Sequence, residues 1–408
     1  MRILLVSNYF FPESIGAGIW VTQLAKDLAA QGHRVAVVTS FPSYPVGQIF
    51  PGYRNCLALR EIIEGLECVR TFTFATPSKS FIPRLISHGM FCLSSVPGYL
   101  RWRRPADVVY AILPPLPLGI SAWVIAVASG ARLVVNVQDI YPDIAVALGY
   151  LRNRIAIRLS FAMERWIYRR ADKVVVISDG FRENLLAKGV PDSKIRVVPN
   201  WTDPDAIRPG KRFNAFRSET GAGAGHLLVI YAGGLTHNAE LDTVLDAAAE
   251  LRGEPVRFAV VGDGVRKEQL QGRAKELGLE NVKFFPFQPL ERYPEVLAAA
   301  DVTLVTLNSA ATYASVPSKI YKQMAAARPI IAVTDPRSEL RRLIEAANCG
   351  GWVVPGDSRG LAALLRQAAA QREAWDQMGW NGREYVERYH SRRACVAQIE
   401  SVLEEACG

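Results

Sequence analysis

The sequence RILLVSNYFFPESIGAG, residues 2–18, decides the fold of this chain. Its apolar run at residues 2–6 predicts a buried strand, and the glycine-bearing segment after that run predicts a loop that leads into an amphipathic helix. The run VAVVT at residues 35–39 predicts the next strand. A strand that leads through a glycine loop into a helix is typical of phosphate binding. Glycine lets the backbone approach the ligand closely, and the first helical turn offers unpaired N–H groups.

The same order of elements restarts in the middle of the chain. The run LLVIYA at residues 227–232 is followed by Gly233 and Gly234, by a helical pattern, and by a strand at residues 258–261. At 408 residues the chain exceeds what one hydrophobic core usually supports, so two domains are expected. Two phosphate-binding units in one chain predict two facing domains with a ligand between them.

Apolar runs of strand length continue through both halves. In the first half they lie at residues 107–112, 132–137, 173–177 and 195–198, and in the second half at 258–262, 282–285, 302–307, 330–333 and 351–354. Helical patterns separate them, which predicts an α/β fold of two doubly wound, Rossmann-like domains. The predicted boundaries are an N-terminal domain at 1–203, a Pro- and Gly-rich linker at 204–225, a C-terminal domain at 226–385 and a closing helix at 386–408 that can pack back on the first domain.

Composition argues against several other classes of protein. Half of the residues are hydrophobic, which argues against disorder. The six cysteines have neither CxxC nor zinc-finger spacing, so reduced thiols in a cytoplasmic protein are expected. No secretory signal is visible. The longest uncharged run, residues 111–131, contains three prolines and predicts a core helix instead of a membrane span.

A series of segments resembles one family over essentially the whole chain. The segments are PESIGAG (12–18), ADKVVVIS (171–178), KIRVVPNWTD (194–203), YAGGL (231–235), FAVVGDG (258–264), ADVTLVTL (300–307) and VPSKIYKQMAAARPIIA (316–332). In this order they are similar to the GT-B glycosyltransferases of the large retaining class called family 4. Together with VPSK, the segment QDIYPDIAVALGYL (138–151) resembles the branch that makes colanic acid, O-antigen and capsule polysaccharides, including fucosyl- and fucosaminyl-type transferases.

The resemblance implies a GT-B fold, in which two Rossmann-like domains face each other across a cleft, and sugar transfer with retention of configuration. It implies a nucleotide-sugar donor, with UDP favoured and GDP as the alternative. The acceptor is expected to be a lipid-linked molecule or a saccharide, with a saccharide on polyprenyl diphosphate favoured, and nucleic acid is not an expected partner. Two other functions stay open: a UDP-N-acetylsugar 2-epimerase, against which VPSK and PESIGAG argue, and a non-catalytic nucleotide-sugar-binding subunit of a synthase complex.

Lys319 is the strongest catalytic candidate. When the bond to the sugar breaks, negative charge grows on the donor diphosphate, and positive groups fixed at that place lower the barrier. Pro317, Ser318 and Lys319 precede a predicted helix. The backbone N–H groups of Ser318 and Lys319, and the Lys319 ammonium, can therefore meet the phosphates. The alternative is a helix start exposed at the surface.

The other predicted donor-binding residues take their roles from the places they hold in the resembling fold. Gly233, Gly234, Thr236 and His237 form a diphosphate loop, Gly262 and Gly264 shape the floor of the nucleotide pocket, Phe287 and Gln288 hold the base, and Gly16 reaches the donor phosphate from the first domain. Each residue also has an alternative without a ligand. The glycines can simply form tight turns, and His237 can be a loop histidine without a role. Phe287 can be a core residue and Gln288 a loop residue beside it.

The first half supplies the predicted acceptor- and sugar-binding residues. These are Gln138, Asp143 and Asn200, with Asp139 as a second catalytic candidate. Gln138 stands where many relatives carry a histidine, and the Gln-Asp pair is normal in the polysaccharide branch. Asp143 has the alternative of capping the helix after it, and Asn200 that of a turn residue at the hinge.

Carboxylates found at the donor site of many relatives are missing. Those relatives carry a Glu-x7-Glu pattern that contacts the donor ribose and sugar, and the corresponding positions here are Ala314 and Lys322, so these contacts must come from elsewhere. No DxD motif lies where a metal would meet the phosphates, since Asp203-Pro204-Asp205 falls in the predicted linker. The sequence therefore predicts catalysis without a divalent metal or other cofactor, with Lys319 and helix N-termini supplying the positive potential.

The net positive charge lies in the first half of the chain, and this suggests a membrane surface. Residues 1–200 carry 23 basic and 13 acidic residues, whereas the remainder carries 25 and 26. Residues 81–104 combine an apolar helical pattern, predicted to end at Pro97-Gly98, with a basic cluster. The cluster consists of Arg101, Trp102, Arg103 and Arg104. Such a segment suits an anionic leaflet and predicts peripheral association with the cytoplasmic face of the inner membrane. A core helix followed by a solvated basic loop is the alternative.

Overall fold

The computed structural model describes residues 1–13, 17–78, 81–308 and 317–408. The chain divides into two units. The first unit comprises Met1–Val198 and Val396–Gly408, and the second unit comprises Pro199–Cys395.

The first unit is built on an eight-stranded sheet. Its strands are β1 (Arg2–Ser7), β2 (Arg34–Ser40), β3 (Ala58–Ile63), β4 (Leu66–Thr71), β5 (Val108–Leu113), β6 (Arg132–Val137), β7 (Lys173–Val176) and β8 (Ile195–Val197). The helices are α1 (Ala17–Ala30), α2 (Phe81–Trp102), α3 (Leu118–Ser129), α4 (Asp143–Ala147), α5 (Arg154–Arg170) and α6 (Asp179–Ala187). The strand order is β3-β4-β2-β1-β5-β6-β7-β8, and all pairs are parallel except β3 with β4. All six residues of β5 are buried, as expected for a parallel strand covered on both faces.

The hairpin of β3 and β4 was not among the predicted strands. Glu64 and Gly65 connect the two strands, and both have positive φ, +52° and +80°. This backbone is that of a two-residue hairpin turn whose twist matches the flanking strands. β3 is an edge strand with an exposed Arg60 and a half-buried Glu61, so its pattern lacks the apolar run by which the buried strands were recognised.

Helix α2 continues through Pro97, so the predicted helix end at Pro97-Gly98 is wrong. The helix runs for 22 residues and packs against β2, β4 and α3. A Cβ on Gly98 would lie 2.3 Å from Cγ2 of Thr71, so the glycine lets the helix pack closely on β4. This tertiary packing outweighs the cost of one proline inside a helix, about 3 kcal/mol.

The second unit is built on a six-stranded, fully parallel sheet. Its strands are β9 (Leu227–Ala232), β10 (Val256–Val261), β11 (Val282–Phe285), β12 (Val302–Thr306), β13 (Ile330–Val333) and β14 (Gly350–Val353), in the order β11-β10-β9-β12-β13-β14. The helices are α7 (Ala215–Thr220), α8 (Asp242–Glu250), α9 (Lys267–Glu276), α10 (Tyr293–Ala299), α11 (Lys319–Ala325), α12 (Glu339–Ala347), α13 (Ser358–Ala370) and α14 (Arg372–Tyr389). Two hydrophobic clusters enclose this sheet. The predicted α/β class of two Rossmann-like domains is confirmed.

The segment predicted as a linker, residues 204–225, differs from that expectation because it carries core residues. It contains α7, whose Phe216 is fully buried and whose Arg217 is 1% exposed. The Arg217 guanidinium donates to the carbonyl oxygens of Ala299 and His226, both at 2.9 Å, and pairs with Asp301 at 2.9 Å. The composition of this segment is typical of a solvent-exposed linker, but its buried side chains belong to the core of the second unit.

The closing segment consists of two helices in place of the one expected at 386–408. Helix α14 ends at Tyr389, and α15 spans Arg392–Cys407. Within the first unit, Glu400 of α15 pairs with His33 at 2.7 Å, and Glu405 pairs with Lys173 at 2.6 Å. The end of α15 therefore lies against residues at the beginnings of the strands of the first sheet.

Candidate active site

The second unit brings its glycines together at the carboxyl end of β9. Gly233 follows β9 directly, and its N–H donates to the carbonyl oxygen of Val261 at 2.9 Å. Gly262 has a φ of +156°, and a Cβ there would lie 1.9 Å from the carbonyl oxygen of Gly233. A Cβ on Gly264 would lie 2.4 Å from the carbonyl oxygen of Leu235. Glycine is required because two loop backbones touch, and this is the edge at which parallel α/β sheets bind ligands.

Lys319 lies against the same loop. It is the first residue of α11, and its Nζ lies 3.9 Å from the centre of the Tyr231 ring. A Cβ on Gly233 would lie 3.2 Å from this Nζ. The Tyr231 hydroxyl in turn donates to the carbonyl oxygen of Gly234 at 2.8 Å. The ammonium is therefore held beside the glycine loop, which is the arrangement that a leaving diphosphate requires.

Two residues that support this loop were missed by the sequence reasoning. Tyr231 places its ring under the Lys319 ammonium, and Asn308 donates from Nδ2 to the carbonyl oxygen of His237 at 2.8 Å. The Asn308 N–H also donates to the carbonyl oxygen of Asn238 at 2.9 Å. A signal was present for both, because each is a polar side chain at the carboxyl end of a predicted strand.

The polar residues predicted for the diphosphate loop are exposed. Thr236 and His237 are both exposed in the loop after β9. Ser318 is also exposed, and its side chain makes no capping hydrogen bond to α11. The carbonyl oxygen of Pro317 accepts the N–H of Ile320 at 3.2 Å. The side chains of Thr236, His237 and Ser318 therefore face solvent, where a ligand can reach them.

Phe287 and Gln288, the predicted base-binding residues, differ in their surroundings. Phe287 is 59% exposed beyond β11, so its ring is open to a base. The Gln288 side chain is held within its own segment, since its Oε1 accepts from Arg292 and its Nε2 donates to Pro286, both at 3.0 Å. Of the pair, Phe287 is the more exposed, and Gln288 is half-buried.

Lys322 replaces a carboxylate of the family pattern with a half-buried cation. It lies three residues after Lys319 on α11, and its Nζ lies 5.5 Å from the centre of the Tyr293 ring. Burial lowers the pKa of Lys322. Ala314, the other position of the pattern, lies outside the described residues. Helix α11 consequently carries a second lysine where the family pattern has a carboxylate.

In the first unit, Glu13 ties together the loops after β1 and β2. Its Oε1 accepts the N–H groups of Ser43 at 2.9 Å and Tyr44 at 2.8 Å, and burial raises its pKa. A Cβ on Gly18 would lie 2.4 Å from the carbonyl oxygen of Glu13. Gly16, the residue predicted to reach the donor phosphate, lies outside the described residues.

Gln138 and Asp139 follow β6 directly, at the carboxyl edge of the first sheet. The Gln138 Nε2 donates to Oδ1 of the buried Asn136 at 2.6 Å. Both Gln138 and Asp139 are half-buried. Burial and the Asp139 carboxylate raise the pKa of Tyr141. This position suits a residue that contacts an acceptor.

The carboxylate of Asp143, which is predicted to bind the acceptor, takes part in an ion pair inside the first unit. Its Oδ2 pairs with Nζ of Lys188 at 2.5 Å, and its Oδ1 accepts from Asn184 at 3.2 Å. Lys188 also pairs with Glu164 at 2.7 Å, where burial raises the Glu164 pKa to about 7. The alternative that Asp143 caps the helix is not realised, because Pro142 occupies the N-cap position of α4. Asp143 instead connects α4 with α5 and with the end of α6.

Asn200 belongs to the second unit, not to the unit that carries Gln138 and Asp139. Its carbonyl oxygen lies 3.2 Å from Nδ1 of His390. The His390 ring stacks on Tyr321 with centroids 4.5 Å apart, and burial lowers the His390 pKa to about 4. The backbone of Asn200 thus takes part in packing within the second unit.

A polar aromatic cluster near the end of β1 was not predicted. The Tyr9 hydroxyl lies 3.2 Å from Nε2 of His88, and the rings of Tyr9 and Tyr44 have centroids 5.4 Å apart. Burial, and secondarily the Arg84 charge, lowers the His88 pKa to about 4. His88 is on α2, far from Tyr9 in sequence, so no local pattern could have grouped them. The cluster lies on the same sheet edge as Asp139.

Of the cluster predicted as a membrane surface, Arg101, Arg103 and Arg104 are exposed, whereas Trp102 is buried. Trp102 is the last residue of α2 and is only 9% exposed. Arg104 pairs with Glu67 at 2.6 Å, and its guanidinium lies 5.8 Å from the centre of the Trp102 ring. Because α2 runs on past Pro97, Trp102 falls on its buried side, and the Arg104 charge is already paired.

No grouping suited to a metal occurs in the part of the chain that the structure describes. There, no three His, Cys, Asp or Glu side chains lie close enough together to hold an ion. Asp203, in the Asp-Pro-Asp segment, accepts the N–H groups of Asp205 at 2.9 Å and Ala206 at 3.2 Å through its Oδ1. Its carboxylate therefore closes a turn.

The two parallel sheets with helices on their faces define a protein of the doubly wound α/β class, and the touching glycine loops with the lysine beside them are its candidate site. Residues 16–201 match the family described as glycosyl transferase 4-like domain, and residues 213–385 match the glycosyl transferases group 1. The chain is also 30% identical over 407 residues to the putative colanic acid biosynthesis glycosyl transferase WcaI of Escherichia coli strain K12, covering 98% of each. The chain therefore belongs to the GT-B glycosyltransferases of family 4.

Further comparisons agree with this assignment. The chain is 31% identical over 301 residues to the probable glycosyltransferase WbjE of Pseudomonas aeruginosa, covering 72% of this chain and 74% of that protein. The solved structure of sucrose-phosphate synthase from Thermosynechococcus elongatus has a TM-score of 0.77 at 20% identity, covering 99% of this chain and 98% of that chain. The family and the fold class predicted from the motifs are confirmed.

Proposed function

We propose that this glycosyltransferase moves a sugar, with retention of configuration, from a nucleotide-sugar to a saccharide carried on polyprenyl diphosphate, in the synthesis of a cell-surface polysaccharide. The observation that carries the proposal is the Lys319 ammonium held between the Tyr231 ring and the Gly233 backbone. The name of one relative, a putative colanic acid biosynthesis transferase, supports the polysaccharide part. UDP is the favoured nucleotide and GDP is the alternative.

In the proposed reaction the acceptor hydroxyl attacks the anomeric carbon from the side on which the diphosphate leaves. The bond between that carbon and the diphosphate oxygen breaks, and its electron pair stays on the diphosphate. The acceptor proton passes to a diphosphate oxygen, so no side-chain base is obligatory. Lys319 stabilises the charge that grows on the leaving group, and Asp139 is assigned to hold the acceptor hydroxyl.

Nucleotide binding is the first test of this function. We expect UDP to raise the melting temperature more than GDP or ADP, because a ligand stabilises the state that it binds, by about 2.7 kcal/mol at a hundred times its dissociation constant. The preferred nucleotide then selects the sugar donors for a transfer assay. No shift with any nucleoside diphosphate would contradict the donor site. Binding without either donor hydrolysis or sugar transfer would favour the non-catalytic subunit.

Activity is expected to persist in an excess of EDTA. The positive charge at the diphosphate is assigned to Lys319, and a divalent cation needs several oxygen ligands placed together. Sugar transfer is measured with and without EDTA, and after addition of Mg²⁺ or Mn²⁺. Complete loss in EDTA with recovery on adding either metal would show that a metal takes part in the reaction.

A lipid-linked acceptor also requires the enzyme to work at a membrane. We place the reaction at the cytoplasmic face of the inner membrane, with peripheral association through the basic first unit. Among the described residues, no helix has both the length and the apolar character needed to cross a bilayer.

A further inference from the structure

Helix α5 exposes an apolar stripe. Ile155 and Leu159 are 69% and 64% exposed, and together with Ala162 and Trp166 they recur every three or four residues, which places them on one face. In most helices of a globular domain such a stripe is turned toward the core. Here a different face is buried, through residues such as Ile167. The exposed stripe is therefore left without a partner among the described residues of the first unit.

Helix α3 widens this stripe. Val127 is 63% exposed and Ile120 is 36% exposed, and Trp123 lies between them on the same face of the helix. The rings of Trp123 and Trp166 meet edge to face, with centroids 5.1 Å apart. The exposed faces of α3 and α5 consequently join at the tryptophan pair into one area, which we call the α3–α5 surface. Isolated exposed apolar residues are ordinary, but a contiguous patch marks an interaction site.

Arginines border the α3–α5 surface on two sides. Arg154, Arg158, Arg165 and Arg169 are exposed and follow one another along α5 at helical spacing, next to the apolar stripe. On the other side of the stripe, the Arg170 guanidinium lies 5.5 Å and 5.6 Å from the centres of the Trp123 and Trp166 rings. The guanidinium of Arg170 thus lies over both tryptophan rings.

Negative charge does not balance these arginines on either helix. Helix α3 contains no charged residue, and the one acidic residue of α5 is Glu164. Its side chain is fully buried and pairs with Lys188, away from the exposed face. The α3–α5 surface therefore combines aliphatic side chains, a tryptophan pair and positive charge only. Charge complementarity calls for an anionic partner with an apolar interior.

We propose that the α3–α5 surface binds an anionic membrane, with its aliphatic side chains and tryptophans in the headgroup layer and its arginines on the lipid phosphates. The inference rests on the proposed function, because a lipid-linked acceptor brings the enzyme to a membrane. It assigns the contact to α3 and α5 in place of the Arg101–Arg104 end of α2. A second copy of the chain is disfavoured, since two such surfaces would face each other with like charges.

Vesicle co-sedimentation tests the proposal. The full chain is mixed with vesicles of phosphatidylcholine alone, or of equal parts phosphatidylcholine and phosphatidylglycerol, at low and high salt. We expect binding to the anionic vesicles only, weakened by salt. Changing Arg154, Arg158 and Arg165 to Ser should reduce the partition coefficient roughly a hundredfold, because each interfacial arginine contributes about fivefold. Leu159→Ser should weaken binding even at low salt.

The matched control is the triple change of Arg101, Arg103 and Arg104 to Ser, which removes the same charge elsewhere in the first unit. It should retain most of the binding. Equal losses in the two triple variants, or no binding of the wild-type chain, would overturn the proposal. So would concentration-dependent dimers of the wild type that the Leu159→Ser variant does not form, because the surface would then join two copies. Melting curves confirm that each variant is folded.

The proposed function is followed separately in the same variants. The nucleotide-induced rise in melting temperature and donor hydrolysis do not require a membrane, so both should be unchanged by the α5 substitutions. A chain that binds anionic vesicles through α5 but neither binds nor cleaves a donor would contradict the proposed function alone. A chain that transfers sugar but ignores anionic vesicles would contradict the membrane surface alone.

Discussion

Replacing Lys319 with alanine is expected to lower the turnover number of sugar transfer by at least about tenfold, and by as much as about 10²–10³-fold, with the fold intact. The Lys319 Nζ lies beside the Gly233 backbone and over the Tyr231 ring, where charge on a leaving diphosphate would develop. An interaction that strengthens as the bond breaks lowers the barrier more than it strengthens donor binding. The turnover number should therefore fall by a larger factor than the Michaelis constant for the donor rises.

Two further variants separate charge from other effects of this substitution. Lys319→Arg keeps the charge but changes its shape and reach, so it should retain more turnover than Lys319→Ala. Lys275→Ala removes one exposed lysine from α9 of the same unit and should leave the turnover unchanged. A folded Lys319→Ala variant with wild-type turnover would remove Lys319 from the active site and leave the charge on the diphosphate to other groups.

Arg217→Met is expected to lower the free energy of unfolding of the second unit by about 3–5 kcal/mol. Arg217 is 1% exposed and Asp301 is 5% exposed, and the two pair at 2.9 Å. Methionine fills a similar volume but leaves the carboxylate with Leu228, whose N–H donates at 2.6 Å, and Arg212, at 3.1 Å. It also leaves the Ala299 carbonyl oxygen without its arginine donor. A buried charge that loses its main partner is costly.

Urea unfolding, followed with and without the preferred nucleotide, measures this loss. Arg208→Met serves as the control, because Arg208 is 72% exposed and pairs with the exposed Asp205 three residues earlier. Its effect should stay within about 0.5 kcal/mol. Adding Asp301→Asn to Arg217→Met should recover part of the stability, since it removes the uncompensated charge. A loss no larger than that of Arg208→Met would contradict a structural role for the Arg217 network.

The parts of the candidate site that directly follow a strand or begin a helix could be predicted from the sequence. The pairs Gly233-Gly234 and Gly262-Asp263 follow two strands that turn out to be neighbours, so their loops meet at one edge. Lys319 was chosen for its charge at a helix start, and its ammonium lies beside that loop. Tyr231 and Asn308 were missed because their contribution comes through contacts, and neither residue type carries an obvious chemical role.

The sequence did not predict which polar side chains are already used by other residues. Asp143 comes shortly after a predicted strand, where a residue that binds the acceptor is expected. In the structure its carboxylate pairs with Lys188, at the end of α6. Tyr9 and His88 meet although they are separated by 79 positions. Pairings of this kind arise when the helices fold back on the sheet, and no local spacing encodes them.

The sequence by itself determined the alternation of strands and helices, the two glycine loops and the family, because these depend on local runs and on residue types at fixed spacing. Only the tertiary structure decided which face of each helix is covered. Periodicity shows that Ile155 and Leu159 share a face, but it cannot tell whether another element packs there. For the same reason, the sequence did not show that Trp102 is buried in the first unit or that the α5 stripe is exposed. Burial depends on neighbours that are distant in the chain, so it became known only with the fold.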